Sequence, residues 1–179
     1  MRKVFYILGQ LSDSDIEWIV GNGRKREIPA GTVVIQEGKE IDILFIVLSG
    51  VLEVTGTYLS GPPVRLGSGE IVGEVSLLDS RPPIATVTAS EKSVVLAIPR
   101  SLLLDKLRGD TSFAAHFYRA LAVLLAHRLR NTGRHLTLGT AQKLDEDAQY
   151  DDELSPELLD EVHLAGRRFE EILQRLKSK

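Results

Sequence analysis

Gly69–Ala89 reads GEIVGEVSLLDSRPPIATVTA. Gly69 and Gly73 bracket an apolar pair, Glu74 follows at once, and a short helix-capable run, Val75–Leu78, leads into the polar loop Asp79–Pro83. A β-branched stretch, Ile84–Ala89, then reads as a strand. Strand, glycine turn, one helical turn, polar loop and strand build a small pocket floored by backbone N–H groups. Glycine lets the backbone approach a ligand without a Cβ in the way, and the first N–H groups of a helix favour an anion. A carboxylate at Glu74 repels a phosphate but suits a sugar hydroxyl. The same residue types also read as a tight turn joining two strands, with Glu74 solvated, and both readings stand at this level.

Outward from this stretch the chain is punctuated by Gly and Pro. Ser12 with Asp15 three residues on marks a helix start, and Gly21 and Gly23 mark its end, which predicts a helix over Asp13–Val20 with Trp18 packed on the barrel. Arg24–Ile28 and Thr32–Ile35 read as strands around the turn Pro29–Gly31. Ile43–Leu48 is a continuous apolar run of strand length, and Val51–Thr57 alternates as a half-buried strand does. Val64–Leu66 and Val94–Ile98 complete about eight short strands, the pattern of an antiparallel β-barrel or jelly roll. From Pro99 the period lengthens. Ser101–Leu107 predicts a short helix, and Phe113, Phe117, Leu121, Leu124 and Leu125 follow a helical spacing up to Gly133. The fold class is α+β, mainly antiparallel β with flanking helices.

Composition bounds the function. The chain has 179 residues, no Cys and a formal net charge of −3, so thiolate and disulfide chemistry are excluded and general nucleic-acid affinity is disfavoured. No run approaches the about 18 apolar residues of a membrane span, and MRKVFYILGQLSDSD has no small-residue cleavage site, so it reads as mature sequence of a cytoplasmic protein. Arg100–Lys143 is basic and Asp145–Lys179 acidic, so the two segments can face each other. Leu138–Tyr150 reads as an acidic linker. Ser155-Pro156-Glu157 then opens an amphipathic helix whose seam is Leu158, Val162, Ala165, Phe169, Ile172 and Leu176, expected to bury against another helix. His116, His127, His135 and His163 have no metal-ligand spacing, and Gly67-x-Gly69-x-x-x-Gly73 is one residue too long for a dinucleotide fingerprint. Neither a catalytic constellation nor a metal site emerges, so an enzyme is not expected.

The central stretch resembles the phosphate-binding cassette of the cyclic nucleotide-binding domain family, the module of catabolite activators and protein kinase A regulatory subunits. Gly69, Val72, Gly73, Glu74, Val75, Ser76 and Leu77, then Pro82, Pro83, Ile84, Ala85, Thr86 and Val87, follow the family pattern. IPAGTVVIQEG, ILFIVLSGVLEV and VVLAIPR sit in the expected order around it, so the resemblance covers about residues 11–132. It implies a double-stranded β-helix barrel over residues 24–99 with following helices over 101–132, within a domain of 1–137. A linker over 138–154 and a helix over 155–179 would follow. It also implies non-covalent binding of cyclic AMP or cyclic GMP. Glu74 would take the ribose 2′-OH and the amides of Gly73–Leu77 and Ala85 the phosphate, while His127, Arg128 and Arg130 either approach the purine or form only the polar face of their helix. The family's arginine is absent: Pro83 stands at its position and Ile84 replaces the small polar residue after it. Arg81, stiffened by Pro82 and Pro83, is the candidate replacement. The resemblance implies a homodimer signalling to an effector protein. A helix-turn-helix needs roughly 60–70 further residues, so direct DNA binding is disfavoured. A degenerate scaffold without ligand and a regulator acting through a partner subunit are the alternative readings.

Overall fold

The computed structural model describes residues 9–57, 59, 61–138, 172, 174 and 175. Helix α1 (Asp13–Asn22) opens on a capping box: Ser12 Oγ accepts from the Asp15 N–H at 3.2 Å and Asp15 Oδ2 accepts from the Ser12 N–H at 2.7 Å. Then come β1 (Arg24–Ile28), β2 (Val33–Ile35), β3 (Ile43–Ser49), β4 (Leu52–Thr55), β5 (Val64–Leu66) and β6 (Ile71–Val72). A six-residue helix, α2 (Glu74–Asp79), precedes β7 (Thr86–Ala89) and β8 (Ser93–Pro99), and α3 (Arg100–Gly109) and α4 (Thr111–Leu138) complete the order. Among the described residues, eight strands in two antiparallel four-stranded sheets, ordered β1-β8-β3-β6 and β2-β7-β4-β5, give the expected α+β jelly roll.

Strands β3 and β8 explain why Ile43–Leu48 reads as an uninterrupted apolar run. Side chains alternate across a strand, and here both sides are covered. Phe45, Val47, Val95 and Ala97 face the second sheet, whereas Leu44, Ile46, Leu48, Leu96 and Ile98 face the helices. Strand β4, with only partial cover, keeps a mixed pattern. The turn between β3 and β4 needs Gly50. Its φ is 86°, and a Cβ there would lie 2.6 Å from Ser93 Cα.

Two local expectations are corrected. The strand after the cassette begins at Thr86, not Ile84, because Ile84 is 69% exposed and Pro82-Pro83 hold the preceding chain outside the ladder. The long helix does not stop at Gly133 but continues to Leu138, since an internal glycine lowers helix stability by only about 1 kcal/mol. Trp18, expected on the barrel, packs against the core that barrel and helices share. Its ring meets Phe113 of α4 edge-on at 5.2 Å between centroids, and Lys106 Nζ sits 5.8 Å above it. Asp110 caps α4, its Oδ1 accepting from the Phe113 N–H at 2.9 Å.

The helices close over the first sheet as one layer. Ile16 and Ile19 of α1, Leu103 and Leu107 of α3, and Phe113, Phe117, Leu121 and Leu124 of α4 share one core with the barrel's outer face. Asp15 Oδ2 and His116 Nδ1, 2.8 Å apart, tie α1 to α4. Ile172 is fully buried in this same core, and Arg175 pairs with Glu17 of α1 at 3.3 Å. The rest of the predicted linker and C-terminal helix lies outside the described residues.

Phe113 is the residue on which this layer closes, stacked on Phe117 at 5.7 Å and fully buried. Phe113→Ala is expected to lower unfolding free energy by about 3–5 kcal/mol in urea melts and to shift Trp18 emission to the red. An unshifted emission with unchanged stability would contradict this packing.

Candidate functional site

Gly73 sets the geometry of the cassette. Its φ of 93° turns β6 into α2, and a Cβ there would meet the Ile43 carbonyl oxygen at 3.0 Å and Ile41 Cδ1 at 3.3 Å. The turn places Glu74 at the first position of α2, where it is 3% exposed. Ser76 and Leu77 are also buried, Val72 packs between the sheets, and Val75 is exposed at 42%. The Leu77 N–H donates to the Gly73 carbonyl at 3.2 Å. That removes one of the amides expected to face an anion.

The loop after α2 is anchored to the turn between β2 and β3. The Gly38 N–H donates to the Pro83 carbonyl at 2.8 Å, and Thr86 Oγ1 accepts from the Glu37 N–H at 3.1 Å. Ser80 ends α2 in the left-handed region at φ 58°. Arg81 is exposed, its backbone N–H donating to Asp79 Oδ1 at 3.0 Å. Pro82 and Ile84 are exposed and Pro83 and Ala85 half-buried.

Arg128 reaches this cassette from α4. Its Nη1 donates to Glu74 Oε1, and its Nη2 donates to Glu70 Oε2 at 3.1 Å and to the Ile71 carbonyl at 2.7 Å. One guanidinium thus binds two buried carboxylates and the strand carbonyl between them. Burial pushes the Glu74 carboxyl above the usual carboxylate range, and the nearby Arg128 charge opposes that shift. Glu70, 7% exposed, belongs to the site although the sequence reading misses it. The GExxGE repeat is its only signal there. The side chain of His127 lies outside the described residues.

Arg100, the first residue of α3, approaches the cassette from the other side. Its Nη2 donates to Ser80 Oγ at 2.9 Å and its backbone N–H to the Asp42 carbonyl at 2.7 Å. Among the described residues no group of three or more His, Cys, Asp or Glu side chains is placed to hold a metal, and no helix is long and apolar enough to cross a membrane.

Residues 25–110 match the family model described as the cyclic nucleotide-binding domain. The chain is 32% identical over 131 residues to the cyclic AMP receptor protein of Thermus thermophilus, covering 72% of this chain and 59% of that protein. It is 42% identical over 71 residues to the cAMP-dependent protein kinase regulatory subunit of Yarrowia lipolytica, covering 40% of this chain and 19% of that protein. The chain therefore spans less than two thirds of the length of these two relatives. A solved cyclic nucleotide-binding domain from Methylobacillus flagellatus superposes with a TM-score of 0.69 at 20% identity, over 80% of this chain and 85% of that one, which shows the shared fold. The barrel and cassette, within residues 25–110, are those of the cyclic nucleotide-binding domain family.

Proposed function

We propose that the chain is a regulatory module that binds cyclic AMP or cyclic GMP non-covalently at the cassette and signals through its C-terminal helices. One observation carries the reading: Glu74, the residue that matches the family's ribose acceptor, is buried at the start of α2 and held by Arg128. Arg128 occupies Oε1, which leaves the carboxylate able to accept a ribose 2′-OH at its other oxygen. Arg128 also supplies positive charge where two carboxylates would otherwise repel a phosphate-bearing ligand. The opening amides of α2 and that of Ala85 would face the phosphate, with Arg81 standing in for the guanidinium that Pro83 replaces.

Arg128 lies on α4, so any change at Glu74 is carried directly to the helix that follows the barrel. That helix shares a core with Ile172, which links the cassette to the C-terminal segment. The outer side of α4 presents Tyr118, Ala122, Leu125 and Leu129 at heptad spacing, with Leu129 74% exposed. A stripe of this kind suits pairing with a second copy, and the charged C-terminal segment suits an effector protein. The names of the two curated relatives, both tied to cyclic AMP, support the ligand class. The competing reading is a degenerate scaffold, favoured by Pro83 at the position of the family's arginine and by the solvent-facing Ile84.

Calorimetric titration with cyclic AMP and cyclic GMP separates the two. Saturable heat is expected, lost in Glu74→Ala and weakened in Arg81→Ala by about 10- to 150-fold, the equivalent of one charge-assisted contact. No heat at millimolar nucleotide would leave the scaffold, and an unchanged affinity in Arg81→Ala would remove Arg81 from the site.

The raised Glu74 carboxyl also has a signature without ligand. The folded state holds this proton more tightly than the unfolded chain, so its stabilising contribution is complete below the ordinary value of 4.5 and is lost as pH rises through the raised folded value. Glu74→Gln cannot ionise. In urea melts the stability difference should therefore move in the variant's favour as pH rises across that window, and parallel profiles would contradict the burial of a titrating Glu74.

A further inference from the structure

Strand β1 reads Arg24-Lys25-Arg26-Glu27-Ile28 and ends the strand order of the first sheet. Its register with β8 sets Arg24 opposite Ala97 and Arg26 opposite Val95. Residues directly opposite in an antiparallel pair project to the same face, and Ala97 and Val95 face the second sheet. Both arginines therefore leave the strand toward the inter-sheet side, with Cα atoms about 7 Å apart. Lys25, opposite Leu96, leaves toward the helix side.

Arg24 and Arg26 line a hollow of about 60 Å³ whose remaining walls are Ile43, Ala97 and Pro99. The small side chain of Ala97 leaves the space, and the apolar walls weaken the screening of the charges beside it. Charge at a sheet edge ordinarily protects against strand addition. Edge protection alone does not explain why these two charges share a concavity while their neighbours are engaged. Glu27 is paired with Lys92 at 2.9 Å and Lys25 is engaged as well. Among the described residues, Arg24 and Arg26 have no ion pair or side-chain hydrogen bond, so two like charges flank one hollow without a counter-charge.

We propose that this hollow is a binding site for a small phosphate-bearing anion, separate from the cassette. Two guanidinium forks from one strand match the oxygens of a tetrahedral oxyanion in charge and geometry. The space is far below the about 300–1,000 Å³ of a drug-sized pocket, so it takes the phosphate group and leaves any attached moiety in solvent. Ile43 is shared between the two sites: its side chain walls this hollow, and its carbonyl oxygen lies against Gly73 of the cassette. The proposal does not depend on nucleotide binding at Glu74.

The test is a titration of the full chain with inorganic phosphate, pyrophosphate and 5′-AMP, followed by backbone amide and arginine Nε resonances, against sodium chloride at matched ionic strength. The expected result is saturable shifts at Arg24, Arg26 and Ala97 for the phosphate compounds, with midpoints weakened about tenfold or more in the Arg24→Gln/Arg26→Gln double variant and unchanged in Glu74→Gln. Both arginines are exposed, so the double variant is expected to stay folded, and its spectrum reports this directly. Equal midpoints for phosphate and 5′-AMP would assign recognition to the phosphate group alone, and a tighter 5′-AMP midpoint would make a nucleotide the source. Shifts reproduced by sodium chloride, or a double variant that saturates like the wild type, would overturn the proposal.

Discussion

Two buried carboxylates held by one guanidinium are the contact on which the cassette depends. Glu70 and Glu74 flank β6 and the turn after it, and Arg128 reaches across 58 and 54 residues of sequence to bind them. Removing one partner of a buried pair typically costs about 3–5 kcal/mol. Arg128 keeps 28% of its side-chain surface exposed, so the cost here belongs at or below the lower end of that range. The two carboxylates stay buried because each meets the Arg128 guanidinium.

The barrel makes this arrangement possible by covering one sheet on both faces. β3 and β8 pack against the second sheet on one side and against α1, α3 and α4 on the other. The helical layer is therefore fixed to the barrel independently of any ligand. Arg128 is carried to the cassette by a helix already seated through Phe113, Phe117 and Leu121. A ligand at Glu74 would perturb a contact that belongs as much to α4 as to the cassette. The buried Ile172 extends the same core to the C-terminal segment.

Much of the fold is legible in local pattern. The Ser12 and Asp15 capping box, the doubly buried run Ile43–Leu48 and the glycine turn at Gly73 each follow from residue type and spacing. Ile84 misleads because β-branched residues signal strand wherever they stand, whereas the two prolines before it deny it a ladder partner. Gly133 reads as a stop, although one glycine within a long helix is a small penalty. In the site, Glu74 is readable because the cassette pattern surrounds it. Its partner is not, since nothing local to Arg128 says which carboxylate it meets. Position in the following helix points Arg128 toward a purine, and Glu70 passes as an ordinary loop carboxylate. Trp18 shows the same limit: its packing follows from its place on α1, but its neighbour Phe113 lies far along the chain.

On this reading Arg128 orients and neutralises Glu74 for ligand capture. Calorimetric titration of Arg128→Gln with the cyclic nucleotide that binds the wild-type chain tests that role most directly. A folded barrel whose affinity falls about 10- to 100-fold, the loss of one charge-assisted contact, is the expected result. A folded variant that binds as tightly as the wild type would contradict it.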